Sequence, residues 1–131
     1  MPAKKPKDRS FTIEVYGESM WTLNKERTLH HYSRAKLVKE WREATAVVAE
    51  AKKVPKGLKT IEISFTPHRR DKRGRADTGG HFPVVKACID GLVDSGIISD
   101  DGPDVVRRLI MEAPIVSGES KVVLAVRELE A

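Results

Sequence analysis

Residues 77–101 read DTGGHFPVVKACIDGLVDSGIISDD, and this stretch defines one helix of the predicted fold. Apolar residues recur in it at helical spacing and form one stripe, namely Phe82, Val85, Ile89 and Val93. Pro83 is compatible with the first turn of a helix, because its missing N–H would have no partner there in any case. Gly96 is a typical residue just beyond a helix end. The stretch therefore predicts a helix from about residue 82 to residue 94.

Acidic residues and one lysine surround this predicted helix. Lys86 and Asp90 are four residues apart and share a helix face. Asp77 precedes the helix start, where N–H groups attract anions, and Asp100 and Asp101 follow one short loop after its end. Carboxylate oxygens can hold a hard divalent cation, so the pattern indicates metal-assisted phosphodiester cleavage. The alternative for Lys86 and Asp90 alone is an ordinary surface ion pair. The alternative for Asp100 and Asp101 alone is a turn.

The net charge of +5 is concentrated in two short segments. Residues 1–9 contain Pro2 and Pro6 among their charges, and we interpret them as a disordered basic tail. Residues 69–75 are predicted to bind the DNA backbone or another polyanion, because their cations repel one another unless a partner or solvent neutralises them. These cations are Arg69, Arg70, Lys72, Arg73 and Arg75. An ordinary exposed turn is the alternative.

The remaining pattern predicts a single α+β domain over residues 10–131. The predicted strands occupy residues 11–16, 60–67, 105–113 and 121–129. Ser33 is a plausible N-cap for a helix that ends near residue 53, and residues 18–30 are predicted to form a loop. The apolar stripe of this helix is Leu37, Trp41, Ala44, Val48 and Ala51. The order β-α-β-α-β-β, with a turn at residues 117–119, predicts a mixed or antiparallel sheet of about four strands with two helices.

Several classes of protein are excluded by composition. A chain of 131 residues is one domain by length, and no apolar run reaches the ~18–20 residues of a membrane span. The N-terminus is too polar for a signal peptide, so a cytoplasmic setting without a membrane partner is expected. Cys88 is the single cysteine, which excludes an intrachain disulfide and a multi-cysteine zinc site. We predict that it is a small buried residue rather than a nucleophile.

The segment KACIDGL at residues 86–92 resembles the RusA-type Holliday-junction resolvases of bacteria and their phages. That family shows an Asp-x-Asp-Asn segment, a later Lys, an Asp-x-Leu four residues beyond that Lys, and then an Asp-Asp pair. Here Asp100 and Asp101 follow Asp90 by ten and eleven residues. The resemblance covers roughly residues 11–129 and includes the basic segment 69–75.

The resemblance implies an α+β homodimer in a bacterial or phage-infected cell. Such a protein binds four-way DNA junctions and, with Mg²⁺ or Mn²⁺, nicks two strands of like polarity during recombination and repair, without a small-molecule cofactor. Carried over residue by residue, Asp77 and Asp101 are metal ligands. Asp90 and Asp100 hold the metal or support its ligands. Lys86 contacts the scissile phosphate.

The chain departs from the family pattern at residues 79 and 80. Counted from Asp77, Gly79 replaces the second Asp and Gly80 replaces the Asn. If Asp77 is aligned with the second Asp instead, Arg75 replaces the first and Thr78 the Asn. Either alignment lacks one acidic ligand, which weakens Mg²⁺ binding, because the ion is reluctant to give up its waters.

His81 is an additional candidate ligand, since imidazole coordinates metals or acts as a base near neutral pH. The simpler interpretation of His81 is a loop residue with local hydrogen bonds. Two alternatives to a nuclease stay open. One is a non-catalytic junction-binding or DNA-binding protein with a degenerate metal site. The other is a protein-interaction module whose basic loop meets an acidic partner.

Overall fold

The computed structural model describes residues 9–73 and 77–129, which contain five strands and three helices in the order β-α-α-β-α-β-β-β. The strands are β1 (Ser10–Tyr16), β2 (Ile61–Arg69), β3 (Val106–Met111), β4 (Ile115–Val116) and β5 (Lys121–Glu128). The helices are α1 (Leu23–Glu26), α2 (His31–Ala51) and α3 (Phe82–Asp94). The predicted α+β class is confirmed, with one more strand and one more helix than expected.

Helix α3 has the bounds that the sequence predicted, and Gly96 follows it with a positive φ of 79°. The other helices differ from the prediction. Helix α1 lies within residues 18–30, which were predicted as a loop, and the Thr22 hydroxyl caps it by accepting from the Lys25 N–H. Helix α2 begins before Ser33, because His30 is its N-cap and accepts from the Tyr32 N–H at 3.3 Å.

The sheet is mixed, with the strand order β1-β5-β2-β3 and with β4 beside the end of β2. Strand β5 is antiparallel to both β1 and β2, whereas β3 and β4 are parallel to β2. The strands predicted at residues 105–113 and 121–129 are present as β3 and β5, but they do not pair with each other, because β2 lies between them. The turn containing Gly118 instead carries the chain from β4, on one side of β2, to β5 on the other.

One face of the sheet is apolar and the other is polar. Side chains of β1, β2 and β5 point alternately to the two faces of the sheet, and those on one face are fully buried. The buried set is Ile13, Val15, Ile61, Ile63, Phe65, Val122, Leu124 and Val126. They form one hydrophobic cluster with buried residues of α2 and α3, so both helices belong to the same core as this face. Glu14 and Arg127 are exposed on the opposite face.

Helices α2 and α3 approach each other closely at Gly91. A Cβ added there would lie 2.5 Å from the Arg42 carbonyl oxygen and 2.8 Å from the Thr45 Cβ, so only glycine fits. The predicted stripe of α2 does face the core, because Trp41 is buried and Leu37, Ala44 and Val48 are partly buried against it. The fully buried residues are Trp41, Thr45 and Ala49, whereas Ala51 is exposed.

Helix α3 is buried on more than the single predicted stripe. Val84, Ala87 and Leu92 are buried in addition to the predicted Val85 and Ile89. At the ends of that stripe, Phe82 is exposed and Val93 is partly buried. A helix packed between a sheet and a second helix has apolar residues on two sides, which accounts for the difference.

The single cysteine and both tryptophans are core residues. Trp21 and Trp41 are buried, and the Trp41 indole donates to the Ser19 carbonyl at 2.8 Å. Cys88 is fully buried in α3, and burial raises the pKa of its thiol to about 12, which confirms the prediction of an unreactive packing residue. Arg9 pairs with Glu128, and residues 1–8 of the predicted tail lie outside the described residues. Within the described ranges, no helix is long and apolar enough to cross a bilayer.

Candidate active site and basic loop

Lys86 and Asp101 form a direct ion pair between α3 and the loop that follows it. The Lys86 Nζ lies 2.6 Å from the Asp101 Oδ2. Because β2 and β3 are parallel, α3 has to carry the chain back before β3 begins, and the loop that follows α3 brings Asp101 beside Lys86. Lys86 lowers the pKa of the Asp101 carboxyl through this hydrogen bond and through its charge. Both side chains keep more than a third of their surface exposed, so the pair is open to a ligand from solvent.

Asp100 has a different local role from that of its neighbour. Its Oδ1 accepts a hydrogen bond from the Gly102 N–H at 2.6 Å, which is the geometry of a side-chain-stabilised turn. The residue is exposed, and its second carboxylate oxygen is not part of this bond. Asp100 and Asp101 therefore present adjacent carboxylates at one surface, one held by the backbone and the other by Lys86.

Asp90 lies on the side of α3 that faces α2. Its negative charge contributes to raising the pKa of Arg42, although the larger cause is a hydrogen bond to Asp94. The Arg42 guanidinium binds the Asp94 carboxylate with two contacts of 2.5 and 2.7 Å. Lys86, Asp90 and Asp94 thus follow one another at four-residue spacing along α3. Sequence analysis missed Arg42 because only the packing of the two helices brings it there.

Asp77 makes no side-chain contact with the Lys86–Asp101 pair, whose two members bind each other. It lines a cavity of about 290 Å³ together with residues 22–24 of the α1 region and residues 78–80, and neither Lys86 nor Asp101 lines that cavity. The turn is held by a bond from the Gly80 N–H to the Asp77 carbonyl and by one from the Leu23 N–H to the Gly80 carbonyl. Gly79 has a φ of +82°, a conformation that favours glycine.

The candidate metal ligands are not gathered into a preformed cage. Across residues 9–73 and 77–129, no three His, Cys, Asp or Glu side chains form a group that could hold a metal ion. Mg²⁺, however, commonly binds through one or two carboxylates, substrate phosphates and several retained waters. The adjacent, exposed carboxylates of Asp100 and Asp101 fit that mode of binding. Asp77 and Asp90 have no contact with them that would complete a cage.

The basic loop at the end of β2 is folded by its own hydrogen bonds. The Arg69 guanidinium donates to the Arg73 carbonyl, and the Asp71 carboxylate accepts from the Arg73 N–H at 2.8 Å. Arg70 and Lys72 are exposed, as is the side chain of Arg73 at 95%. This geometry holds the loop as a turn with its cations on the outside. Residues 74–76, which include Arg75, lie outside the described residues.

His81 is a buried residue at the start of α3. Only 2% of its surface is exposed, and its ring Nδ1 lies 3.1 Å from the Trp21 carbonyl oxygen. No group in the described part of the chain is hydrogen-bonded to the other ring nitrogen, Nε2. Burial lowers the pKa of the imidazole, and the positive charge of Arg69 lowers it further. The simpler interpretation of His81, a loop residue with local hydrogen bonds, does not hold, because its side-chain partner Trp21 is sixty residues away and the ring is buried.

Comparisons with known proteins do not assign this chain to a family. No protein-family model matches the sequence, and no curated protein is significantly similar to it. Functional inference therefore rests on the residues and their geometry.

Proposed function

We propose that the protein is a Mg²⁺-dependent DNA endonuclease that acts on four-way junctions. The observation that carries the proposal is the 2.6 Å contact between Lys86 and Asp101, which are fifteen residues apart in the sequence. These are the lysine and the late aspartate of the resolvase-like pattern. A lysine beside an ionised carboxylate at an open surface offers one group for a phosphate oxygen and one for a cation.

Each residue of the pair has a defined task in this proposal. Asp101, assisted by Asp100, would hold the metal through carboxylate oxygens, and Lys86 would bind a non-bridging oxygen of the scissile phosphate. A bound Mg²⁺ would polarise the phosphate and favour ionisation of an attacking water. The Lys86 ammonium would stabilise the charge that develops on the phosphate in the transition state. Asp90, four residues along α3, would help to orient Lys86.

Substrate binding is proposed to depend on the basic loop. Arg70, Lys72 and Arg73 are exposed and can contact backbone phosphates, and such contacts carry no base sequence information. Selectivity for a junction would then come from the shape of the DNA and the positions of its phosphates. Paired nicks require two active sites, so the proposal includes a homodimer whose two-fold axis matches that of the junction.

The proposal is tested by incubating the pure protein with a labelled synthetic four-way junction. We expect nicks in two strands of like polarity in the presence of Mg²⁺ and none with EDTA. Linear duplex of the same sequence should be cut slowly or not at all. Equal cutting of junction and duplex would contradict the proposed selectivity, and the absence of cutting with either Mg²⁺ or Mn²⁺ would contradict the proposed activity.

A second candidate function is junction binding without cleavage. It is favoured by Gly79 in the position of a family aspartate and by the separation of Asp77 from the Lys86–Asp101 pair. A protein of this kind would bind a four-way junction in preference to linear duplex, in a salt-dependent manner, and leave it intact at every metal concentration. Binding and cleavage measured on the same labelled junction distinguish the two functions.

A further inference from the structure

A cavity of about 210 Å³ lies at the base of the basic loop, between β2 and the start of α3. Two arginines, Arg69 and Arg70, and two acidic residues, Glu18 and Asp71, are among the residues that line it. His81 also lines it. The cavity therefore combines donors for an anion with acceptors for hydroxyl or amino groups, which is unlike a site for a bare anion or a bare cation.

The buried imidazole of His81 supplies a reason for a ligand here. A carbonyl oxygen can only accept, so the ring Nδ1–H donates to Trp21 and the neutral ring presents Nε2 as an acceptor. Nε2 is itself buried and has no hydrogen-bond partner among the described residues, and His81 is one of the residues that line the cavity. A buried acceptor without a donor costs on the order of 1–3 kcal/mol. A ligand hydroxyl or amino group at this position would remove that cost.

A second cavity, of about 430 Å³, continues from the first and shares Glu18, Arg70 and Ser120 with it. Tyr16 forms one of its walls and is 54% exposed. The Tyr16 hydroxyl donates to Glu119 at 3.0 Å, and the Lys121 Nζ lies 5.4 Å from the centre of the ring. These two contacts hold the ring in place, and a fixed aromatic ring is a good stacking surface for a base.

We infer that the two cavities together bind one nucleotide. Its phosphate lies between Arg69 and Arg70, a sugar hydroxyl or amino group donates to the His81 Nε2, and the base lies against Tyr16. The combined space is of the size expected for a nucleoside monophosphate, since drug-sized ligands occupy cavities of roughly 300–1,000 Å³. Glu18 and Asp71 balance the two arginines of the first cavity, and Glu119 of the second is paired with Lys121, so the site carries no excess positive charge, which favours one phosphate over a run of them. The inference goes beyond the nuclease proposal, because such binding needs neither a metal nor a cleavable strand.

The test is a titration of the ¹⁵N-labelled full-length protein with deoxyadenosine 5′-monophosphate in EDTA, followed by the imidazole ¹⁵N resonances of His81. We expect a saturable shift of the Nε2 resonance. Inorganic phosphate and deoxyadenosine, used as separate probes, should each bind more weakly than the nucleotide, because each occupies half of the site. The absence of a saturable shift with the nucleotide at about 10 mM would overturn the inference, since that limit corresponds to negligible affinity.

Three variants test whether the nucleotide binds in these two cavities. Arg70→Gln should weaken nucleotide binding by about tenfold or more, as expected for the loss of a charge-assisted contact to phosphate. Tyr16→Ala should weaken binding of the nucleotide and leave that of inorganic phosphate unchanged. Arg73→Gln is the matched control, because Arg73 belongs to the same loop but does not line either cavity.

Two results with these variants would contradict the inference. Equal losses of nucleotide affinity in Arg70→Gln and Arg73→Gln would mean that the loop attracts anions only through its overall charge. Unchanged nucleotide affinity in Tyr16→Ala would contradict the inference that the base lies against the Tyr16 ring. Neither result depends on nuclease activity, so failure of the nucleotide site and failure of the nuclease proposal are distinguishable.

Discussion

At the scale of single residues, the Lys86–Asp101 contact connects the sequence pattern with a local chemistry. Neither residue is buried, so the pair contributes little to folding, as exposed ion pairs generally do. A contact of 2.6 Å between side chains on a helix and on a loop nevertheless holds a cation and an anion at one surface. The same two residues could be selected from the sequence, whereas their contact depends on the path of the chain after α3.

Gly79 allows a residue-scale test of the proposed metal site. The resemblance makes Asp77 a metal ligand, although the structure does not bring it into a metal-binding group with Asp100 and Asp101. If the turn of Asp77 joins these residues in holding Mg²⁺ when the junction binds, Gly79→Asp adds a carboxylate to the metal site and should lower the Mg²⁺ concentration needed for half-maximal nicking. The substitution should also cost about 1–2 kcal/mol of folding stability, because φ is +82° and an L side chain is strained there.

The matched control for this prediction is Gly57→Asp. Gly57 has a φ of +71° and, like Gly79, has no atom within 4 Å of an added Cβ. The unfolding temperature should therefore fall by a similar amount in both variants, whereas only Gly79→Asp should change the Mg²⁺ dependence of nicking. The same Mg²⁺ dependence in wild type and Gly79→Asp would mean that the alignment of this loop with the family pattern is wrong.

A second residue-scale prediction concerns Glu128, the last residue of β5, which pairs with Arg9. Arg9 binds its carboxylate with two contacts of 2.8 Å and the Lys59 N–H donates at 3.0 Å, so the pKa of Glu128 is lowered, chiefly by Arg9. A lowered folded-state pKa stabilises the fold above the unfolded value of about 4.3, and this contribution is lost as the pH falls through the folded pKa.

The variant Glu128→Gln should therefore unfold at a lower temperature than wild type at pH 7. The difference should shrink as the pH falls below about 4.3 and disappear once the wild-type carboxyl is protonated in the folded state as well. Glu112→Gln, at an exposed carboxylate on the surface, is the control and should unfold like wild type at both pH values. A difference between Glu128→Gln and wild type that stays constant with pH would contradict the ion-pair explanation.

At the scale of elements, the contact between α2 and α3 depends on the absence of a side chain at Gly91. In an exposed helix position, Gly→Ala would stabilise the fold by about 1 kcal/mol. Gly91→Ala should instead destabilise it by about 1–3 kcal/mol, because the added methyl group overlaps the Arg42 carbonyl and Thr45. Urea denaturation measures the sign directly. Unchanged or increased stability would show that the two helices separate easily.

The elements also show how much of the structure could be predicted from sequence. The period of the apolar residues, Pro83 and Gly96 are local signals, and they define α3 at both ends. Helix α1 has only four residues and lacks a buried face, so no periodicity revealed it. The separation of β3 from β5 could not be predicted, because it depends on which strands pair across the sheet.

The same distinction applies to the candidate site. Lys86 and Asp101 were selected by spacing and do meet, whereas Asp77 was selected on the same grounds and lies at another cavity. Asp77 begins a turn whose Gly80 carbonyl accepts a hydrogen bond from the Leu23 N–H of α1, a helix that was not predicted. Spacing along the sequence identifies side chains of the right chemistry and does not by itself define their positions.

At the scale of the whole molecule, the charge of the basic loop should determine DNA binding. Changing Arg69, Arg70 and Arg73 together to Glu should eliminate binding to a four-way junction without unfolding the domain. In variants that lose single cations, each phosphate contact removed should reduce the slope of log K against log salt by about 0.9. Fluorescence anisotropy over a range of salt concentrations measures both quantities.

The control for the loop variant carries the same change of charge elsewhere. Arg27, Lys36 and Lys52 are exposed and lie outside the loop, and their joint change to Glu should leave most of the junction affinity. Equal losses of junction affinity in the two triple variants would mean that the net charge of the protein, rather than the location of the cations in the loop, determines binding. Circular dichroism establishes that both variants are folded.

The most direct test of the central claim is single-turnover nicking of a labelled four-way junction by Asp101→Asn in Mg²⁺. We expect the rate to fall by about a hundredfold or more, the upper end of losses seen when groups around a metal are removed. Junction binding should be unchanged or tighter, because one negative charge near the phosphate is lost. Asp104→Asn, at an exposed carboxylate three residues further on, should nick like wild type. A wild-type rate in Asp101→Asn, or an equal loss in Asp104→Asn, would contradict the assignment of Lys86 and Asp101 as the catalytic pair.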